Sequence, residues 1–136
     1  MSIEEKHRET MERARVLYNV AKSKKRSKKR SVVPPLKGGT NIVCFDFDDT
    51  LAKKVWPKPG IGEPIPEGLE LLMNLWLDGR EIIVFTARHW MDHDDLVQWL
   101  YEHAPGCVSQ VICGKPLAGL YIDDLAYRPP WTEGPK

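Results

Sequence analysis

The chain has no hydrophobic run long enough to span a membrane, and its first residues are charged where a secretory signal would carry an apolar core. A cytoplasmic location is therefore expected. Cysteine is scarce: Cys44, Cys107 and Cys113 are odd in number and lack zinc-type pairing, which fits reduced thiols. Cys44, inside an apolar run, reads as a small buried residue. No internal repeat is visible. With 136 residues and 42% hydrophobic content, the chain can bury one core but hardly two. The expected division is a helix and basic linker over 1–40 and one folded domain over 41–136.

What is present is an uneven charge distribution. The net charge is only +1, yet residues 1–30 hold 11 Lys/Arg against 4 Glu, whereas residues 31–136 hold 9 Lys/Arg against 15 Asp/Glu. Residues 2–21 carry an imperfect apolar stripe (Ile3, Met11, Ala14, Leu17, Tyr18, Ala21) that predicts a helix. Lys22 to Arg30 then places seven positive charges in nine residues with nothing apolar. Such a run cannot fold by burial. It fits a solvated linker, an arm that binds nucleic acid phosphates by counterion release, or a nuclear-import signal. Pro34-Pro35 and Gly38-Gly39 mark the entry to the folded domain.

The folded part is organised around Asn41 to Leu51. Ile42 to Phe45 has the length and β-branching of a buried strand, and it delivers Asp46, Asp48 and Asp49 at its C-terminal end. Carboxylates this close repel one another unless solvated, protonated or neutralised by a cation, so a divalent metal is expected. Ala52 to Pro66 is rich in Pro and Gly and reads as a loop or small hairpin. Its Lys53, Lys54 and Trp56 are either substrate contacts or ordinary loop residues. A helix follows from Pro66, with Leu69, Leu72, Met73 and Trp76 on one face and Gly79 past its end. Glu81 to Phe85 is a second buried strand ending in Thr86-Ala87-Arg88, which completes a βαβ unit.

His89 to Asp95 alternates His and Asp like a metal site, but Asp92 with Asp95 fits a reciprocal helix start better, and Leu96, Trp99 and Leu100 continue the helix to about His103. Arg88 and His89 are left free to face the site mouth. Val108 to Cys113 is a third strand, closed by Gly114-Lys115-Pro116. Leu120 to Ile122 is a fourth, closed by Asp123-Asp124. Parallel strands need a crossover of about a dozen residues, and few separate these two, so either the third strand is short and stops early or its direction differs. Trp131 is expected to pack on the body.

Loops at the carboxyl ends of parallel strands converge on one crevice where strand order reverses. Asp46, Asp48, Thr86, Lys115 and Asp123/Asp124 would meet there. A hydroxyl and an ammonium suit phosphate oxygens, and carboxylates from two strands suit an octahedral Mg²⁺.

In these motifs the chain resembles the haloacid dehalogenase (HAD) superfamily of phosphotransferases: Asp46-Phe47-Asp48-Asp49-Thr50, then Thr86, Lys115 and Asp123-Asp124, in order, over residues 41–128. The resemblance implies a compact α/β, Rossmann-like core with a mostly parallel sheet of about four strands. It implies that Asp46 attacks phosphorus to give an aspartyl-phosphate, with Asp48 as acid and then base. Thr86, Ala87 and Lys115 would bind the phosphoryl group. Mg²⁺ would be held by Asp46, the Asp48 backbone carbonyl, Asp123 and Asp124. Lys115 lies closer to the acidic pair than in many members, as in small phage and bacterial ones. Neither interval that holds the family's cap domains has room for one, so an open site is implied, suited to a large or tethered phosphate such as a nucleic acid end or nucleotide, or to a lid from a partner subunit. The phosphatase domain of polynucleotide kinase is a distant look-alike. Lys53, Lys54 and Arg88 are candidate substrate contacts. Two other functions fit the same residues: a nucleic-acid-binding module with a vestigial site, and phosphoryl transfer to an acceptor other than water.

Overall fold

A computed structural model of the chain describes residues 2–6, 8–9, 12–13 and 33–132. The basic run Lys22 to Arg30, and most of the N-terminal helix expected before it, lie outside the described residues. Within them, residues 3–6, 8–9 and 12–13 are helical, and Arg13 donates from Nη1 to the Glu102 carbonyl at 3.3 Å.

Among the described residues from 33 on, three strands and two helices alternate: β1 (Ile42–Phe45), α1 (Pro66–Leu77), β2 (Glu81–Phe85), α2 (His93–His103) and β3 (Val108–Ile112). The sheet has the order β1-β2-β3 and both pairings are parallel, so the third strand runs with the others. Each helix supplies the crossover that a parallel pair requires. Phe45 lies opposite Val84, and Phe85 opposite Ile112, so the three C-terminal ends form one edge.

Local chemistry accounts for the helices. Proline opens α1 where a missing N–H is harmless. Gly79, at φ +89°, ends it in a conformation that a side chain would disfavour. Its most buried residues are Gly68, Leu69, Leu71, Leu72 and Leu75, while Met73 and Trp76 are only partly covered. The reciprocal start expected for α2 does not form. Asp92 is its N-cap residue but makes no side-chain cap bond, and instead lies 3.9 Å from the Arg88 guanidinium. A 3₁₀ turn, Trp90–Asp92, precedes the helix, with the His89 ring accepting from the Met91 N–H.

The core sits between sheet and helices, with Phe47, Leu51, Leu72, Ile82, Val84 and Leu96 fully buried. Period-two alternation turns Phe45 into this core and leaves Ile42 and Cys44 on the other face of β1. Cys44 is therefore exposed, not buried as its apolar neighbours suggested.

The fourth strand expected at Leu120–Ile122 is not formed. Too little chain follows Ile112 for another parallel crossover. Leu117, Leu120, Tyr121, Ile122, Leu125 and Tyr127 are exposed, and β1 has β2 as its sole partner strand among the described residues. Strand order accordingly shows no reversal there. Beyond this segment the chain returns to the body. A 3₁₀ turn, Pro130–Thr132, carries Trp131, which packs on the core and donates from its indole to the Thr50 carbonyl at 3.2 Å. Among the described residues, no helix is long and apolar enough to cross a membrane.

Candidate active site

The C-terminal edge of the sheet is built from three loops. After β1 the chain turns sharply: the Phe47 carbonyl accepts from the N–H groups of Thr50, Leu51 and Ala52 at 2.8–3.2 Å. Asp49 takes φ +62°, a conformation aspartate tolerates better than most residues, and its carboxylate accepts from the Lys54 N–H at 2.9 Å. Asp49 thus has a structural task. Phe47, buried between Asp46 and Asp48, anchors the turn in the core while the flanking carboxylates stay outside it. The segment after the turn is a loop with isolated bridges from Asp48 to Ala52 and from Ala52 to Pro64, and it leaves Lys53, Lys54 and Trp56 exposed.

The loops after β2 and β3 are laced together. Thr86 donates from its backbone to the Ile112 carbonyl and accepts at its own carbonyl from Lys115, both at 2.9 Å. Gly114 donates to the Arg88 carbonyl at 3.0 Å. The Thr86 side chain is buried; its hydroxyl accepts from the Arg88 N–H at 3.1 Å and keeps its own proton to donate. Ala87 lies between them, partly covered. These bonds bring Lys115 to the same edge as Thr86 and Asp46.

Electrostatics tie the loops together. Asp46 is exposed as a residue, yet its carboxyl pKa is raised above the ordinary value, chiefly by desolvation. Its bond from Phe47 and the positive charge of Lys115 pull it down, and the charges of Asp48 and Asp49 push it up. The Lys115 ammonium lies 4.4 Å from the centre of the Tyr121 ring and 5.6 Å from that of Phe85.

Arg88 is turned towards Asp48. Its Nε donates to Oδ2 at 2.9 Å and its Nη2 to Oδ1 at 2.8 Å, and the guanidinium lies over the Phe47 ring. Both side chains are mostly buried. The bond to Asp48 raises the Arg88 pKa further. Arg88 was expected among the substrate contacts, and its partnership with Asp48 was missed. The signal lay in register: each residue follows the end of one of two adjacent strands.

Asp46, Asp48, Thr86 and Lys115 are thus brought to one edge. Asp123 and Asp124 are exposed, and Asp123 accepts from the Leu125 N–H at 2.8 Å. No group of three or more His, Cys, Asp or Glu side chains is poised to hold a metal among the described residues. The donor chemistry beside β1 is nevertheless that of a hard cation, since carboxylate and carbonyl oxygens suit Mg²⁺. Comparison with family models, curated proteins and solved structures returns no match.

Proposed function

We propose that the chain is a Mg²⁺-dependent phosphomonoesterase with a HAD-type, capless core that works through an aspartyl-phosphate. The observation that carries this reading is the meeting of Asp46, Asp48, Thr86 and Lys115 at the C-terminal ends of three adjacent parallel strands. In this reading an Asp46 oxygen attacks phosphorus as the ester bond breaks, and Asp48 gives a proton to the departing alkoxide. Asp48 then takes a proton from the water that attacks the aspartyl-phosphate, releasing phosphate and restoring Asp46. Lys115 and the Thr86 hydroxyl stabilise the charge on the transferring oxygens. Because Arg88 donates to both Asp48 oxygens, this fork has to open before Asp48 can carry the proton.

Mg²⁺ would be held by Asp46, the Asp48 carbonyl, Asp123 and Asp124, and would supply neutralising charge to the phosphate oxygens. For the acidic pair to take part, the segment from Leu117 to Tyr127 would have to fold against the β1 side of the site. Two observations support this: β1 has one partner strand among the described residues, and six large apolar side chains between residues 117 and 127 are exposed.

The test is hydrolysis of an aryl phosphate with Mg²⁺ by the wild type and Asp46→Asn. Turnover abolished by the substitution supports the reading. Equal rates would remove Asp46 as nucleophile, and no turnover of any phosphoester by the wild type would favour a binding module. Added alcohols that appear phosphorylated among the products would indicate transfer to an acceptor other than water.

A further inference from the structure

Beyond the reacting groups, two partly open aromatic rings lie at the loop that carries Lys115, Tyr121 against its ammonium and Trp90 against Gly114. Trp90 is 54% exposed, in the 3₁₀ turn between β2 and α2. It stacks on His93, with centroids 5.6 Å apart and planes inclined by 29°. Its Nε1 lies against Gly114, 3.2 Å from where a Cβ would stand, and Gly114 adopts φ +85°. The indole thus packs against the loop that carries Lys115, and a side chain at 114 would crowd it. Tyr121, 46% exposed, holds its ring 4.4 Å from the Lys115 ammonium, and its hydroxyl donates to the Pro116 carbonyl.

We propose that the group bearing the phosphate is a nucleotide, whose base stacks on Trp90 while Lys115 takes the phosphate. This inference rests on the phosphomonoesterase reading of the site and adds its substrate class. A cation flanked by exposed rings is how proteins hold single-stranded nucleic acid: the charge meets the phosphate and the ring meets a base. Trp90 adjoins Gly114, not Lys115 itself, so a ring stacked there must be separated from its phosphate by a spacer. Ribose supplies that spacer in a nucleotide. A sugar phosphate offers no ring, and phosphotyrosine carries its phosphate on the ring itself.

The test is equilibrium binding to the full chain carrying Asp46→Asn, so that no turnover is needed. Adenosine 5′-monophosphate, ribose 5-phosphate and a phosphotyrosine peptide are the probes. The nucleotide is expected to bind about tenfold or more tightly than the sugar phosphate. Trp90→Leu should erase most of that preference and Trp90→Phe should keep most of it. Equal affinity for nucleotide and sugar phosphate, a preference unmoved by Trp90→Leu, or tighter binding of the phosphopeptide overturns the proposal. A 5′-phosphorylated single-stranded oligonucleotide separates the two sources of this chemistry: tighter, salt-steep binding assigns a polynucleotide end, and affinity equal to the mononucleotide assigns a free nucleotide. Base-dependent binding together with a wild type that hydrolyses nothing would refute the catalytic reading alone.

Discussion

Arg88 and Asp48 meet through two parallel hydrogen bonds of 2.9 and 2.8 Å, although 40 residues separate them in the chain. A guanidinium fork fixes both the position and the rotation of a carboxylate, which one bond from a lysine cannot do.

Arg88→Ala should lower stability by about 1–3 kcal/mol, because Asp48 is left partly buried without its partner. Arg88→Lys should recover part of that loss, since charge returns without the fork. Urea midpoints of the three proteins check this, and an unchanged midpoint for Arg88→Ala would show that the pair adds nothing to folding.

Gly68→Ala separates helix propensity from packing. Alanine favours a helix interior over glycine by about 1 kcal/mol. A Cβ at 68, however, would stand 2.0 Å from the Thr50 carbonyl oxygen, an impossible approach that must push α1 away from the Asp46–Asp49 turn. Packing should win, with a net loss of about 1–3 kcal/mol. A rise in melting temperature would contradict it.

For Asp46 the sign follows from its raised pKa. Below the ordinary value of 3.8 the carboxyl is protonated in folded and unfolded chains alike, and its ionisation has no effect on stability. As pH rises through the higher folded value, ionisation is harder in the folded chain and stability falls. Asp46→Asn should therefore be more stable than wild type at pH 7, with the charge-dependent part of that advantage shrinking on acidification towards pH 3.8. Mg²⁺ should raise the melting temperature of the wild type more than that of Asp46→Asn. Thermal melts across pH, with and without Mg²⁺, read both effects.

Burial pushes the Cys107 thiol from 9.0 up to about 11. The unfolded chain loses this proton first, so the thiol's contribution to stability is intact below pH 9.0 and is lost as pH rises through about 11. Alkylation at pH 8 should accordingly be slow in the folded protein and fast in urea. Equal rates would mean that Cys107 is accessible.

Strands β1 and β2 and both central helices were legible because their signals are local: β-branched runs, a proline at a helix start, a glycine past its end. Asp46, Thr86 and Lys115 were legible for a related reason, since each follows a strand and parallel strands end together. The segment from Leu120 to Ile122 misled, because an apolar run followed by aspartates reads as a strand whether or not a neighbour is in place to pair with it. Burial of Cys44 was misjudged because a strand with one covered face buries only alternate residues. The Arg88–Asp48 pair and the approach of Trp90 to Gly114 depend on how separate loops meet, and no spacing within either loop encodes that.

The bond from the Trp131 indole to the Thr50 carbonyl joins positions 81 residues apart. The turn that holds Asp46 and Asp48 is therefore clasped by a residue translated long after it. During synthesis, β1 and its carboxylates emerge first, and the nascent chain displays the acidic turn well before that clasp can close over it.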